Sequence, residues 1–243
     1  MKILFSPSEA KRQECGKDII CLEKFIFPEL SSHRLRALKI YDDFIANSDD
    51  SLICKLFGLK DFNPSLKQSI FKKGCIKAIK RYTGVAYNAI NYENLDRNAQ
   101  NFIDDNTLIF SNLFGVIRAS DLIPEYKLKQ GERIGDFNLE LFFKQNFSKH
   151  IDDFLKDEIL VDLRAEFYKK FYEIKQEYLT FKFVKNKKIV SHYAKAYRGK
   201  ILRELALKNA KTKDEILALN FTEATLVQIQ KIGLKTELVL EIS

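Results

Sequence analysis

The sequence has no tryptophan, one methionine, four prolines and nine glycines among its 243 residues. So few turn-formers exclude collagen-like and low-complexity chains, and a 46% hydrophobic content excludes long disorder. No apolar run approaches the roughly 18 residues of a membrane span, because Lys, Asp or Asn interrupts every stretch. Four cysteines, Cys15, Cys21, Cys54 and Cys75, are scattered without a CxxC pair, and His33, His150 and His192 lie far apart. Neither pattern has zinc-ligand spacing, so neither a metal site nor a cofactor is expected, and the thiols read as reduced. There is also no GxGxxG, no Walker loop and no HExxH. Glu9 and Lys11 follow the apolar Ile3–Phe5 too soon for a signal peptide, so a cytoplasmic protein without a membrane partner is expected. Nothing in the composition speaks to oligomeric state.

What the chain does have is basic charge, +8 overall, and it is unevenly placed. Residues 165–213 hold 14 Lys/Arg against 4 Asp/Glu, which exceeds the whole excess. A second run, 66–92, carries Lys67, Lys72, Lys73, Lys77, Lys80 and Arg81 with no acid until Glu93. Clustered cations point to a polyanion, most simply nucleic acid, and a solvated Lys-rich face is the alternative.

The length and the order of elements predict one α/β domain over residues 1–243, a mixed sheet flanked by helices. Strands are expected at Ile3–Ser6, Thr107–Phe110, Ile159–Leu163 and Leu238–Ile242. Leu179–Val184 and Ile189–Tyr193 bracket Lys185-Asn186-Lys187-Lys188 as a β-hairpin. Helices are expected at Ser31–Ala46, at Leu52–Phe57 capped by Asp49 or Asp50, from Pro64, at Phe137–Phe147, at Ala196–Asn209 and at Asp214–Leu219. In the helix after the hairpin, Lys200, Arg203, Glu204, Lys208 and Lys211 fall within an arc of about 140°. Arg198 falls on the apolar side. If the helix already includes Arg198, its permanent charge needs a carboxylate or lines a cleft; if the helix starts at Gly199, Arg198 is free.

Four stretches, in order, resemble the YaaA family of bacterial peroxide-stress proteins. They are Ser6-Pro7-Ser8-Glu9-Ala10-Lys11, Tyr82-Thr83-Gly84-Val85, the segment Ser111-Asn112-Leu113-Phe114-Gly115-Val116-Ile117-Arg118 continuing to Arg133-Ile134, and Ser191-His192-Tyr193-Ala194-Lys195-Ala196-Tyr197-Arg198-Gly199. Two positions depart from the family pattern: Ala119-Ser120 replaces the usual proline after Arg118, and Leu163–Tyr168 lacks a serine. The resemblance implies a single α/β domain with a helix-hairpin-helix element and a basic cleft. It further implies double-stranded DNA as partner and a role in limiting iron-dependent oxidative damage.

A helix-hairpin-helix grips a backbone phosphate with amide N–H groups at a glycine turn, helped by a nearby cation. Its best match here is Leu52–Phe57, then Gly58-Leu59-Lys60, then Pro64–Phe71, with Lys67, Lys72, Lys73 and Lys77 extending the phosphate track. Lys11, Arg118, Arg133, Lys195, Arg198, Lys200 and Arg203 complete the candidate phosphate contacts. Ser6, Ser8 and Glu9 follow a strand's carboxyl end, where open α/β sheets place ligands. With Tyr82, Thr83, Asp121 and Glu166 they are the cleft candidates, Arg118 and Asp121 also reading as a structural ion pair. Ser8, Glu9 and Lys11 include a nucleophile and bases, but no triad motif surrounds them. The expectation is therefore a DNA-binding protein acting without catalysis and without base readout. The alternative is an enzyme acting on a phosphorylated or nucleotide-like substrate in the same cleft.

Overall fold

The computed structural model describes residues 1–186, 188–221 and 223–242; Lys187 of the expected hairpin loop lies outside them. The strands are β1 (Lys2–Phe5), β2 (Cys75–Lys77), β3 (Thr107–Ser111), β4 (Gly115–Arg118), β5 (Leu122–Pro124), β6 (Leu160–Asp162), β7 (Tyr178–Lys185), β8 (Lys188–Ile189), β9 (Ala224–Ile232) and β10 (Lys235–Ile242). The α-helices are α1 (Ser31–Asn47), α2 (Asp50–Phe57), α3 (Ala78–Arg81), α4 (Val85–Ile90), α5 (Arg97–Asn106), α6 (Leu139–Leu155), α7 (Ser191–Leu207) and α8 (Lys213–Leu217).

One mixed sheet runs β4-β3-β1-β6-β7-β10-β9, with β8 paired to β7; β2 and β5 form a separate ladder. The inner strands β3, β1, β6, β7 and β10 are parallel, and the edges β4 and β9 are antiparallel. Strands buried on both faces read as continuous apolar runs. That is why Ile3, Leu4 and Phe5 of β1 and Leu108, Ile109 and Phe110 of β3 are all buried. From β1 the chain goes to β3 on one side and later to β6 on the other. The order thus reverses at β1, and the crevice beyond its carboxyl end is where such sheets take ligands.

Three buried arginines stitch the frame. Arg34 of α1 donates to the carbonyls of Phe27, Phe114 and Val116. Arg81 donates to the carbonyls of Arg12, Glu14, Gly74 and Ile123. Arg164 forms a two-pronged ion pair with Asp162 at 2.8 and 3.1 Å. These bonds satisfy a charge that cannot be neutralised by losing a proton.

Several expectations change. Asp49 does cap α2, accepting from the Leu52 N–H at 2.9 Å. The helix expected from Pro64 is instead two 3-10 turns, Pro64–Lys67 and Ile70–Lys72, so α2 has no helical partner across Gly58. The cause is local. Asp42 of α1 takes the Ile70 N–H and the Ser69 hydroxyl, both at 2.7 Å, and holds the chain in turns. The hairpin's second strand stops at Ile189, and α7 begins at Ser191 rather than Ala196. Lys195 and Arg198 therefore lie within the helix, not before it. Gly199 is also inside α7, where an added Cβ would sit 2.1 Å from the Ala86 carbonyl oxygen. The missing side chain is what lets α4 and α7 touch backbone to backbone.

Candidate functional site

Beyond the carboxyl ends of β1 and β6 opens a cleft of about 930 Å³. Five separated stretches wall it: the turn after β1, the end of α2, the start of α4, the segment after β6, and one face of α7. Lys129 and Gln130 close a sixth side.

The turn after β1 is fixed to its neighbours by its own polar groups. The Ser6 hydroxyl accepts the Ala165 N–H at 2.7 Å, and the Ser6 carbonyl accepts the Tyr87 hydroxyl at 2.9 Å. Glu9 accepts the Gln130 N–H at 2.9 Å. Ser8 lines the cleft and has no hydrogen-bond partner among the described residues; it lies against Gly84, whose φ of +98° needs glycine. At the end of α2, Gly58 adopts a left-handed φ of +66° and closes the helix. Gly58 and Lys60 both line the cleft, as does Lys55, which sequence reasoning passed over.

On α7, Lys195 and Arg198 stand one turn apart and both line the cleft. Of the two readings of Arg198, the helix includes it and it is a cleft residue. It is half-buried, and its pKa is lowered by desolvation, opposed by the charges of Asp162 and Glu166. Among the described residues, neither Lys195 nor Arg198 has an ion pair. Lys129, in contrast, is paired with Glu132 at 3.0 Å.

Behind the turn lies a polar cluster built from the motif residues. The Tyr82 hydroxyl meets that of Tyr126 at 2.9 Å, and Tyr126 also bonds Ser111 and Asn112, each at 3.0 Å. Lys11 lies over the Tyr126 ring, 4.0 Å from its centroid, and donates to the Glu9 carbonyl at 3.1 Å. Burial pushes the Lys11 pKa down to about 7, against the pull of Glu125 and Glu9. Tyr82 in turn packs on Tyr87, a cleft residue, with centroids 5.4 Å apart.

The remaining candidates lie elsewhere or serve the frame. Lys67 pairs with Asp50, Lys73 with Glu125 and Lys77 with Asp104, while Lys72 is exposed; none of the four lines the cleft. Arg118 is exposed on edge strand β4, and Asp121 accepts its backbone N–H at 2.8 Å rather than its guanidinium. Arg133 is exposed beside a separate hollow with Gly131 and Gly135. Lys200 pairs with Glu223, and Arg203 donates to the Ile90 and Asn91 carbonyls that end α4. Thr83 sits in a small niche on the far side of Tyr82, and Glu166 pairs with Lys169 at 2.7 Å. Cleft residues not anticipated include Tyr87, Tyr168, Lys129 and Gln130. No periodicity or motif of their own marks them; only Lys129 and Gln130 fall inside a resemblance stretch. Among the described residues no cluster of His, Cys, Asp and Glu forms a metal site, and no helix is long and apolar enough to cross a membrane.

The fold and cleft define a single-domain α/β protein with an open crevice at its strand-order reversal. The family profile described as "Peroxide stress protein YaaA" matches residues 1–227, and the chain belongs to that family. An uncharacterized protein of Campylobacter jejuni is 48% identical over all of this chain and 99% of its own length. A UPF0246 protein of Fusobacterium nucleatum is 30% identical, covering 89% of this chain and 90% of its own length. A UPF0246 protein of Corynebacterium glutamicum is 29% identical over 90% of this chain and 91% of its own.

Proposed function

We propose that this member of the peroxide stress family binds double-stranded DNA through the phosphate backbone, largely without sequence preference, and so limits iron-dependent oxidative damage to it. The observation that carries the reading is that Lys195 and Arg198, without an ion pair among the described residues, line a cleft that Lys55 and Lys60 also line. Backbone binding of this kind neutralises phosphates and releases counterions, so affinity falls steeply with salt. Among the described residues no recognition helix stands out, which favours positioning contacts over readout.

The test is duplex affinity by fluorescence anisotropy across a salt series, on two unrelated sequences. Similar affinities are expected, and Lys195→Ala should lower the log–log salt slope by about one. Lys195→Arg keeps the charge and should bind as the parent does. Strong sequence preference or salt-independent binding would refute the reading. A second reading, catalysis on a phosphorylated substrate, is favoured by Lys11, whose amine loses its proton near neutrality directly behind the cleft. It predicts a Lys195→Arg or Lys11→Arg protein that binds DNA normally yet fails to protect cells from peroxide.

A further inference from the structure

We propose that the cleft is a site for a single nucleotide, its phosphate held by Arg198 and Lys195 and its base against the apolar and aromatic lining near Tyr87 and Tyr168. Size comes first. At about 930 Å³ the cleft falls among the roughly 300–1,000 Å³ pockets that take small ligands. A duplex can only lie across its mouth, whereas one nucleotide can enter.

Arg198 calls for an anion. Its guanidinium stays charged, sits half-buried in the wall, and has no hydrogen bond or ion pair among the described residues. The two carboxylates whose charge reaches it are engaged elsewhere: Asp162 by both prongs of Arg164, and Glu166 by Lys169. A partly desolvated cation without a counterion favours an anion that enters the cleft with it. The planar fork of Arg matches two phosphate oxygens, and Lys195 one turn away adds a second charge.

The rest of the lining suits a base. Phosphate alone has no use for Phe5, Leu163, Ala86 and the rings of Tyr87 and Tyr168, which share the cleft. A base does, because each base has a flat apolar face that packs on aromatic and apolar side chains. Ser8, unpartnered among the described residues, and Gln130 supply polar groups for a base edge or sugar.

The same chemistry has two sources, a free nucleotide or a nucleotide turned out of a bound strand. The second rests on the DNA reading above, and the first does not. Two measurements on the full chain separate them. Calorimetric titration with deoxynucleoside monophosphates, the matching nucleosides and inorganic phosphate reads the site itself. A monophosphate should bind at least about tenfold tighter than either fragment, since only it joins phosphate and base contacts. Arg198→Met should weaken it by about tenfold or more. Val85→Trp, at an exposed position lining the cleft, should block it sterically while its thermal melt stays close to the parent's. The second measurement uses a duplex carrying 2-aminopurine in a mispair, whose fluorescence rises when the base leaves the stack.

Monophosphate binding together with a fluorescence rise supports extrusion from DNA. Monophosphate binding without a rise supports a free-nucleotide site. Duplex binding with neither signal overturns the nucleotide site and leaves backbone binding standing. Monophosphate binding with no duplex binding overturns the DNA reading and keeps the site. A Val85→Trp or Arg198→Met protein that binds monophosphate as the parent does places the ligand outside this cleft and refutes the proposal.

Discussion

Replacing Lys11 by methionine should make the protein more stable near pH 6 and leave its stability almost unchanged near pH 10.5. Lys11 titrates at about 7 in the folded chain and at the ordinary lysine value of 10.5 when unfolded. Between those values the unfolded chain binds the extra proton, so stability rises with pH at up to about 1.4 kcal/mol per unit, and is flat on either side. The net penalty for holding the charged amine below pH 7 is about 5 kcal/mol. What the ammonium gains from the Tyr126 ring and the Glu9 carbonyl is already inside that figure, because a pKa shift is the net difference between the two protonation states. A gain of about 4–5 kcal/mol for Lys11→Met at pH 6, relative to its effect at pH 10.5, follows, with methionine filling the same space over Tyr126. Urea denaturation of both proteins from pH 5.5 to 10.5 is the assay, and the difference between them cancels the tyrosines that titrate above pH 10. A variant that is less stable at every pH, by a constant amount, would refute the reasoning. It would show a fully charged ammonium anchored by Glu9 and Glu125.

Two further outcomes are expected. Gly199→Ala should destabilise by about 1–3 kcal/mol, because its Cβ meets backbone of α4 that cannot yield without parting the helices; the urea midpoint should fall. Arg203→Ala should cost about 1–2 kcal/mol through the bare Ile90 and Asn91 carbonyls, while anisotropy shows duplex affinity and salt slope unchanged.

The buried centre of the sheet was legible because parallel strands covered on both faces need unbroken apolar runs, as in Ile3–Phe5 and Leu108–Phe110. β9 was not, for the opposite reason. It is an edge strand in which Val227 and Ile229 alternate with Gln228 and Gln230 yet stand exposed, so the apolar side of its pattern does not mark the inward face. The start of α7 was hidden because Val190 precedes it without a capping side chain, and Ile189–Tyr193 reads equally well as a strand. The cleft was legible in part. Ser6, Ser8 and Glu9 followed from their place after a strand, and Lys195 and Arg198 from their motif. Its other cations were not separable by charge alone: Lys55 and Lys67 look alike in sequence, yet only one lines the cleft and the other pairs with Asp50. The failed second helix beyond Gly58 turned on Asp42, a residue more than twenty positions away.

The place of β1 in the middle of the sheet has a consequence for biosynthesis. β1 is translated well before the partners that hold it, residues 107–109 on one side and 160–162 on the other. At about 5–20 residues per second, the second partner is synthesised roughly ten to thirty seconds after β1. Until residues 107–109 are made Ile3, Leu4 and Phe5 have no strand to pair with, and until residues 160–165 follow, the turn carrying Ser6, Ser8 and Glu9 lacks the wall that Ala165 anchors. The last wall, on α7, is translated later still. A nascent chain stalled before residue 198 therefore lacks the completed cleft, and ligand binding to ribosome-bound chains of increasing length would time the moment at which the molecule acquires its site.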